Sequence, residues 1–234
     1  SLAAGERIAF PNPEMMVTLA AAAAVTERVR LAFNVLVLPM HSAVLIAKQV
    51  ATLDVISAGR VTLGVGVGGR EEDYRAVGVA LDERRLGRLE EQVGMMRCAW
   101  AGEPVVDGAL RPVEPAPVQP GGPEILAGSL FPKSIRRAAR WADGLCGFSF
   151  GPSAEEVGRQ FELARAAWEE EERSVPPRLV TGCWFALGSG GRAQMDEYLQ
   201  HYLNFMGPGV AEALAPTVTA ISGSALGDAV RMIE

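Results

Sequence analysis

His41, one of only two histidines, follows an apolar stretch at residues 30–38 and stands in the turn Pro39-Met40-His41-Ser42. Imidazole exchanges protons near neutral pH, so a histidine at the end of a strand can serve as a catalytic acid or base, or donate a hydrogen bond to a bound cofactor. The alternative is a histidine that ties the turn to the next helix. His201 stands in a polar helical pattern and is interpreted as a surface residue.

A second candidate site is a Gly-Ser turn. Gly128 and Ser129 follow a short apolar stretch, and Pro132, Lys133 and Ser134 follow the turn. Proline is tolerated in the first turn of a helix, where unpaired backbone N–H groups favour an anion. The pattern therefore predicts a phosphate site with contacts from Lys133 and Ser134. The alternative is an ordinary capped helix with a solvated lysine.

The glycine-rich stretch at residues 59–69, GRVTLGVGVGG, contains Gly64-x-Gly66-x-x-Gly69. This matches the dinucleotide-binding fingerprint, which also requires a helix directly after the glycines. Residues 70–73 are Arg-Glu-Glu-Asp, which we predict to be an acidic loop and a poor site for a pyrophosphate.

Alternation within the same stretch suggests a strand with one apolar face. Its other face carries Thr62, Gly64, Gly66 and Gly68. Glycines inside a strand often mark the close approach of a ligand, so Gly66 and Gly68 are candidate contacts for a flat ring. Tight packing inside a barrel is the alternative.

These candidates must be positioned by alternating strands and helices. Strands are predicted at residues 30–38, 61–67, 124–127, 145–150 and 179–187, and helices at residues 15–24, 82–100, 132–141, 192–206 and 225–234. Two further helices are predicted, one capped by Ser42 and running to Ile56 and one that starts at the capping box Ser153-x-x-Glu156. Residues 102–123 are proline-rich and should be irregular. The alternation predicts an α/β fold with a parallel sheet covered by helices. It leaves a doubly wound sheet and a (β/α) barrel equally open.

Composition narrows the class of protein. The chain has 234 residues, 49% of them apolar, and its net charge of −6 has no basic stripe, so we expect one globular domain over residues 1–234 and no nucleic-acid partner. The longest apolar stretch, residues 15–25, is shorter than the roughly 20 residues of a membrane span. We expect no membrane partner and a cytoplasmic location. Three scattered cysteines predict buried thiols and no metal site.

Two ordered segments carry a family resemblance: TERVRLAFNVLVLPMHSAVLIAKQVATLDVISAGRVTLGVGVGG at residues 26–69 and ILAGSLFPKSIRRAARWADGLCGF at residues 125–148. Together they resemble the luciferase-like monooxygenase family from about residue 13 to residue 234, with Ala58-Gly59-Arg60 where that family has Gly-Gly-Arg. The resemblance implies a TIM-like (β/α) barrel with its site at the carboxyl ends of the strands. Such a barrel has eight strands and only five are predicted here. We expect the first strand, first helix and second strand to precede Ser1 and the last strand to follow Glu234, in a longer chain that is incomplete at both ends here. The alternative is a reduced barrel that covers its open edges in another way.

The resemblance also implies a cofactor, FMN or the deazaflavin coenzyme F420. It places the phosphate loop at Gly128, Ser129, Lys133 and Ser134, and a non-proline cis peptide that supports the flavin ring at Asn34-Val35. The implied function is that of a flavin- or deazaflavin-dependent oxidoreductase or monooxygenase acting on a small-molecule substrate. A homodimer is compatible with this expectation. The alternatives are a non-catalytic flavin-binding protein and a doubly wound NAD(P)-dependent dehydrogenase.

Overall fold

The computed structural model describes residues 1–108, 110–151, 153–220 and 222–233. Its one sheet has six parallel strands in sequential order: β1 Leu2–Ala4, β2 Leu31–Val37, β3 Val61–Gly66, β4 Glu124–Ala127, β5 Gly144–Cys146 and β6 Arg178–Val180. A doubly wound sheet reverses its strand order at a switch point, and this sheet does not. The order is that of a (β/α) barrel, and the six strands form a half-barrel that does not close within the described residues.

Helices follow the strands along the chain: α1 Met15–Val25, α2 Ala43–Ile56, α3 Glu71–Ala76, α4 Arg85–Trp100, α5 Pro132–Ala138, α6 Ala154–Glu170, α7 Gly191–Leu203, α8 Val210–Leu214 and α9 Gly223–Ile233. Side-chain caps stand at the starts of α1, α2 and α6. Ser42 accepts a hydrogen bond from the Leu45 N–H, and Ser153 accepts one from the Glu156 N–H. Glu14 accepts two such bonds ahead of α1, so these starts are set by local sequence. Among the helices of the described ranges, none has the length and apolarity to cross a membrane.

The structure corrects three sequence predictions. The sequence does not predict β1, because a strand of three residues shows no alternation. β1 pairs with β2 and so occupies the position of the second strand that the sequence analysis expects before Ser1. The strand count is six instead of five. The predicted loop at residues 70–73 includes the start of α3, whose first turn carries three acidic residues that favour its N-terminus. The last two strands are shorter than predicted, because beyond β5 and β6 only a bridge between Ser149 and Cys183 continues the pairing.

A buried carboxylate and a half-buried arginine hold the chain near the amino ends of the strands. Asp54 is fully buried and accepts hydrogen bonds from the backbone N–H groups of Val118 and Gln119 and from the Gln119 amide. This fixes the end of the proline-rich segment. Arg60, from the Ala-Gly-Arg junction, donates to backbone oxygens of residues 23, 26 and 29 at the end of α1. The junction therefore has a structural role on the face opposite the cavity.

Candidate active site

A cavity of about 530 Å³ opens at the carboxyl ends of the strands, where barrel enzymes carry their sites. Its volume falls within the range of small-molecule sites. Its wall consists of residues within β2, of Cys146 in β5 and of residues that follow β1, β3, β4, β5 and β6. Residues of α7 and of the turn after it complete the lining. The lining residues are Gly5, Glu6, Arg7, Phe10, Asn12, Asn34, Val35, Val37, Gly68, Arg70, Gly128, Leu130, Cys146, Gly147, Phe148, Phe150, Trp184, Tyr198, Tyr202, Leu203, Phe205 and Met206.

The wall contributed by β2 contains the Asn34-Val35 segment. The peptide bond between these residues is cis, which confirms that prediction, and the register between β2 and β3 shifts between Phe33 and Leu36. The Asn34 side-chain oxygen accepts a hydrogen bond from the Cys146 thiol. Burial raises the pKa of Cys146 to about 11, so the thiol keeps the proton that it donates at neutral pH. Asn34, Val35 and Cys146 all line the cavity.

The glycine face of β3 makes room for β2. A Cβ atom on Gly66 would lie 2.9 Å from Val35 Cγ2, and one on Gly128 would lie 2.8 Å from Val35 Cγ1. A Cβ atom on Gly68 would lie 2.9 Å from Val37 Cγ1. The expectation of a ring lying directly on Gly66 is therefore corrected, since the Val35 side chain fills that space and Gly66 does not line the cavity. Gly68 and Gly128 do line it.

His41 lies behind the cavity wall. Its Nε2 is 2.7 Å from Glu6 Oε1, and Glu6 Oε2 accepts the Val37 N–H at 2.6 Å. The Glu6 side chain is 5% exposed and lines the cavity, whereas the His41 side chain is 26% exposed and does not. His41 therefore reaches the edge of the cavity only through Glu6, and its role at a cofactor stays a prediction. Glu6 was missed because it follows the short strand that the sequence pattern did not reveal.

The Gly-Ser turn reaches the cavity through its backbone. Gly128 and Leu130 line the cavity, and the N–H groups of Leu130 and Phe131 have no acceptor in the described part of the chain. Ser129, Lys133 and Ser134 are not among the lining residues. Lys133 is exposed, and the Ser134 hydroxyl donates to the Phe131 oxygen at 2.9 Å.

Aromatic rings form much of the remaining wall. Trp184 meets Phe148 and Phe150 edge to face, with ring centroids 5.0 and 5.5 Å apart, and Tyr198 stacks on Tyr202 at 5.3 Å. Burial, followed by the neighbouring Tyr202, raises the pKa of Tyr198, so this residue stays a neutral phenol. Trp184, which follows β6, lines the cavity. The helix at residues 192–206 was predicted, but not which of its faces would cover the site.

Comparison with known proteins identifies a matching family model and several related sequences. The family model described as luciferase-like monooxygenase matches residues 2–227. An uncharacterized protein of Mycobacterium tuberculosis is 34% identical over 170 residues, which cover 70% of this chain and 59% of that protein. Limonene 1,2-monooxygenase of Rhodococcus erythropolis is 26% identical over 221 residues, which cover 86% and 55%. The chain thus spans little more than half the length of these curated relatives.

Solved structures share the fold. A monooxygenase from Streptomyces bottropensis superposes with a TM-score of 0.73 at 24% identity, covering 94% of this chain and 72% of that one. The coenzyme F420-dependent tetrahydromethanopterin reductase of Methanopyrus kandleri gives 0.72 at 15% identity, with coverages of 95% and 79%. The FMN complex of 3,6-diketocamphane monooxygenase from Pseudomonas putida gives 0.64 at 18%, with coverages of 85% and 60%. Similar proteins therefore include both FMN- and F420-dependent enzymes.

Proposed function

The chain belongs to the luciferase-like monooxygenase family, and we propose that it forms the cofactor site of an oxidoreductase that uses FMN or coenzyme F420 on a small organic substrate. The observation that carries this proposal is the cavity at the carboxyl ends of six parallel strands, whose wall joins the Asn34-Val35 segment to Gly68 and Gly128. A barrel fold alone would not identify a reaction.

The residues present suit a flavin or deazaflavin. The cavity is largely apolar and aromatic, and Gly68 and Gly128 lie on its wall beside Val37 and Val35. Asn34, Val35, Gly68 and Gly128 would hold the ring system. The free N–H groups of Leu130 and Phe131, beside Ser129, offer donors for the phosphate. In this proposal Lys133 and Ser134 act from the outer side of the same turn, and Gly66 acts only by giving Val35 its place.

The bound cofactor would supply the electron or hydride transfer. The chain supplies the surroundings: its aromatic walls exclude water, and the Glu6–His41 pair holds a proton between Glu6 Oε1 and His41 Nε2 at the edge of the cavity. Glu6 can exchange this proton with a group in the cavity, and the partly exposed His41 connects the pair to solvent. His41 is thus a positioning residue and proton relay that acts through Glu6.

The runner-up is a flavin-binding protein of the same fold without turnover. A native barrel that consists of these strands alone would favour it. Cofactor binding alone does not separate the two functions, but turnover does.

Purification followed by absorbance spectroscopy tests the proposal. We expect the protein to retain FMN or F420, or to bind one of them when it is titrated and the quenching of cofactor fluorescence is followed. Reduction or reoxidation of the bound cofactor in the presence of organic substrates would support the enzyme, and binding without turnover would support the runner-up. Failure of both cofactors to bind would refute the proposed function.

The homodimer is also a proposal, and light scattering of the purified protein tests it by mass against the 24.8 kDa of one chain. A monomer at micromolar concentration would contradict it.

A further inference from the structure

Three charged side chains line the cavity, and two of them already have side-chain partners. Glu6 is paired with His41 and with the Val37 N–H. Arg7 forms ion pairs with Glu72 and Asp73, each at 2.7 Å. Arg70 is the third, and it makes no ion pair with any described residue.

Two of the three acidic residues that follow Arg70 in the sequence are engaged with Arg7. Asp73 accepts Arg7 on one carboxylate oxygen and the backbone N–H groups of Ile8 and Ala9 on the other. Glu72 also accepts Arg7. The Arg70 Nε is closed off from solvent and has no hydrogen-bond acceptor in the described ranges. Arg70 thus brings to the cavity a charge without an ion-pair partner, and its other guanidinium N–H groups could bind an anion there.

Aromatic contacts hold Arg70 in place. Its guanidinium carbon lies 4.3 Å from the ring centroid of Tyr202 and 4.2 Å from that of Phe205. Both are cation–π distances. Stacking uses the faces of the planar guanidinium and leaves its N–H edges for hydrogen bonds in the plane, the geometry that matches a carboxylate.

We propose that Arg70 binds the carboxylate of the substrate, which would be an organic acid with an apolar or aromatic body. This inference rests on the proposed function, because it takes the cavity as the place where substrate meets cofactor. Arg70 follows β3 and is held by residues after and within α7, whereas the proposed phosphate turn follows β4. The aromatic walls around Trp184 suit the body of such an acid.

Matched carboxylates and amides test the charge requirement directly. We would measure binding of benzoate against benzamide, and of hexanoate against hexanamide, to the purified protein by calorimetry or saturation-transfer NMR. Wild type should prefer each carboxylate by at least about tenfold, equivalent to 1.4 kcal/mol. Arg70→Gln should abolish the preference, and Arg70→Lys should keep part of it because the charge remains. Arg75→Gln, an exposed arginine of α3, should leave the preference unchanged.

The outcomes separate this proposal from the function on which it rests. Equal binding of acid and amide by wild type, no binding of any probe, or an undiminished preference in Arg70→Gln with a native thermal melt would each overturn the proposal. Affinity for FMN and F420 should be unchanged in Arg70→Gln. A tenfold loss of cofactor affinity there would assign Arg70 to the cofactor instead, whereas failure of wild type to bind either cofactor would refute the proposed function alone.

Discussion

Val35 and Gly66 should behave as one packing unit. A methyl group on Gly66 would lie 2.9 Å from Val35 Cγ2 inside the buried strand β3, a distance at which one of the two groups must shift. We expect Gly66→Ala to lower the free energy of unfolding by about 1–3 kcal/mol, the usual cost of overpacking. Val35→Ala removes two methyl groups from a half-buried site and should cost about 1 kcal/mol.

The double variant distinguishes packing from simple loss of stability. If the new methyl group occupies the space that Val35 vacates, Val35→Ala/Gly66→Ala should be at least about 1 kcal/mol more stable than the sum of the single changes predicts. Gly66 does not have a positive φ, so alanine there also restricts the unfolded chain, which favours the folded double variant further.

Urea unfolding monitored by circular dichroism measures all three variants, with stability changes read from midpoints at constant slope. Gly94→Ala is the matched control, because a Cβ atom there meets nothing within 4 Å on the helix α4. It should be neutral or stabilising and additive with Val35→Ala. Additivity of Gly66→Ala with Val35→Ala would refute the packing explanation. A normally stable Gly66→Ala protein that no longer binds cofactor, and is not restored by Val35→Ala, would support a ring lying directly on the glycines.

Three further predictions concern the cavity. Glu6→Gln should lower turnover at least about tenfold with cofactor affinity retained. His41→Asn should lower turnover less and should shift the pH profile of turnover. Wild-type activity in both variants would exclude the pair from catalysis. Gly128→Asp should weaken FMN or F420 binding at least about tenfold, roughly 1.4 kcal/mol, whereas Gly94→Asp should not, and fluorescence titration of folded protein decides this. Burial raises the pKa of Cys146 to about 11, so little thiolate exists at pH 8. Mass spectrometry should therefore find Cys146 nearly unlabelled by iodoacetamide in the native protein and labelled after denaturation. Rapid labelling of the native protein would contradict this prediction.

The sequence predicted those parts of the fold that local patterns encode. Ser42 and Ser153 cap the helices expected of them, and β4 has the predicted bounds. Local pattern could not separate a barrel from a doubly wound sheet, because that choice depends on strand order, which is a property of long-range pairing. The resemblance to a family decided it, and the sequential sheet confirms the decision.

The candidate site was predicted where one strand carries the signal. The Asn34-Val35 segment, Gly68 and Gly128 all line the cavity, and their contact with a cofactor stays a prediction. Glu6 was missed because β1 is too short for a periodic pattern. Nothing in Arg70 or its neighbours distinguishes it from a solvated loop residue, since its partners Tyr202 and Phe205 lie more than a hundred residues further along the chain.

The glycines of β3 show how one pattern can support two different sites. In the sequence their alternation suits a ligand that lies against bare backbone, and equally a neighbouring strand that presses against it. The structure places the Val35 side chain between Gly66 and Gly128, so these two glycines together provide the space that the Val35 methyl groups occupy. Any ring in the cavity would then rest on Val35, and the glycines would affect cofactor binding through the position of that side chain. Substitutions at Gly66 should therefore lower the free energy of unfolding more than they lower cofactor affinity. Substitutions at Gly128, which itself lines the cavity, should lower both quantities.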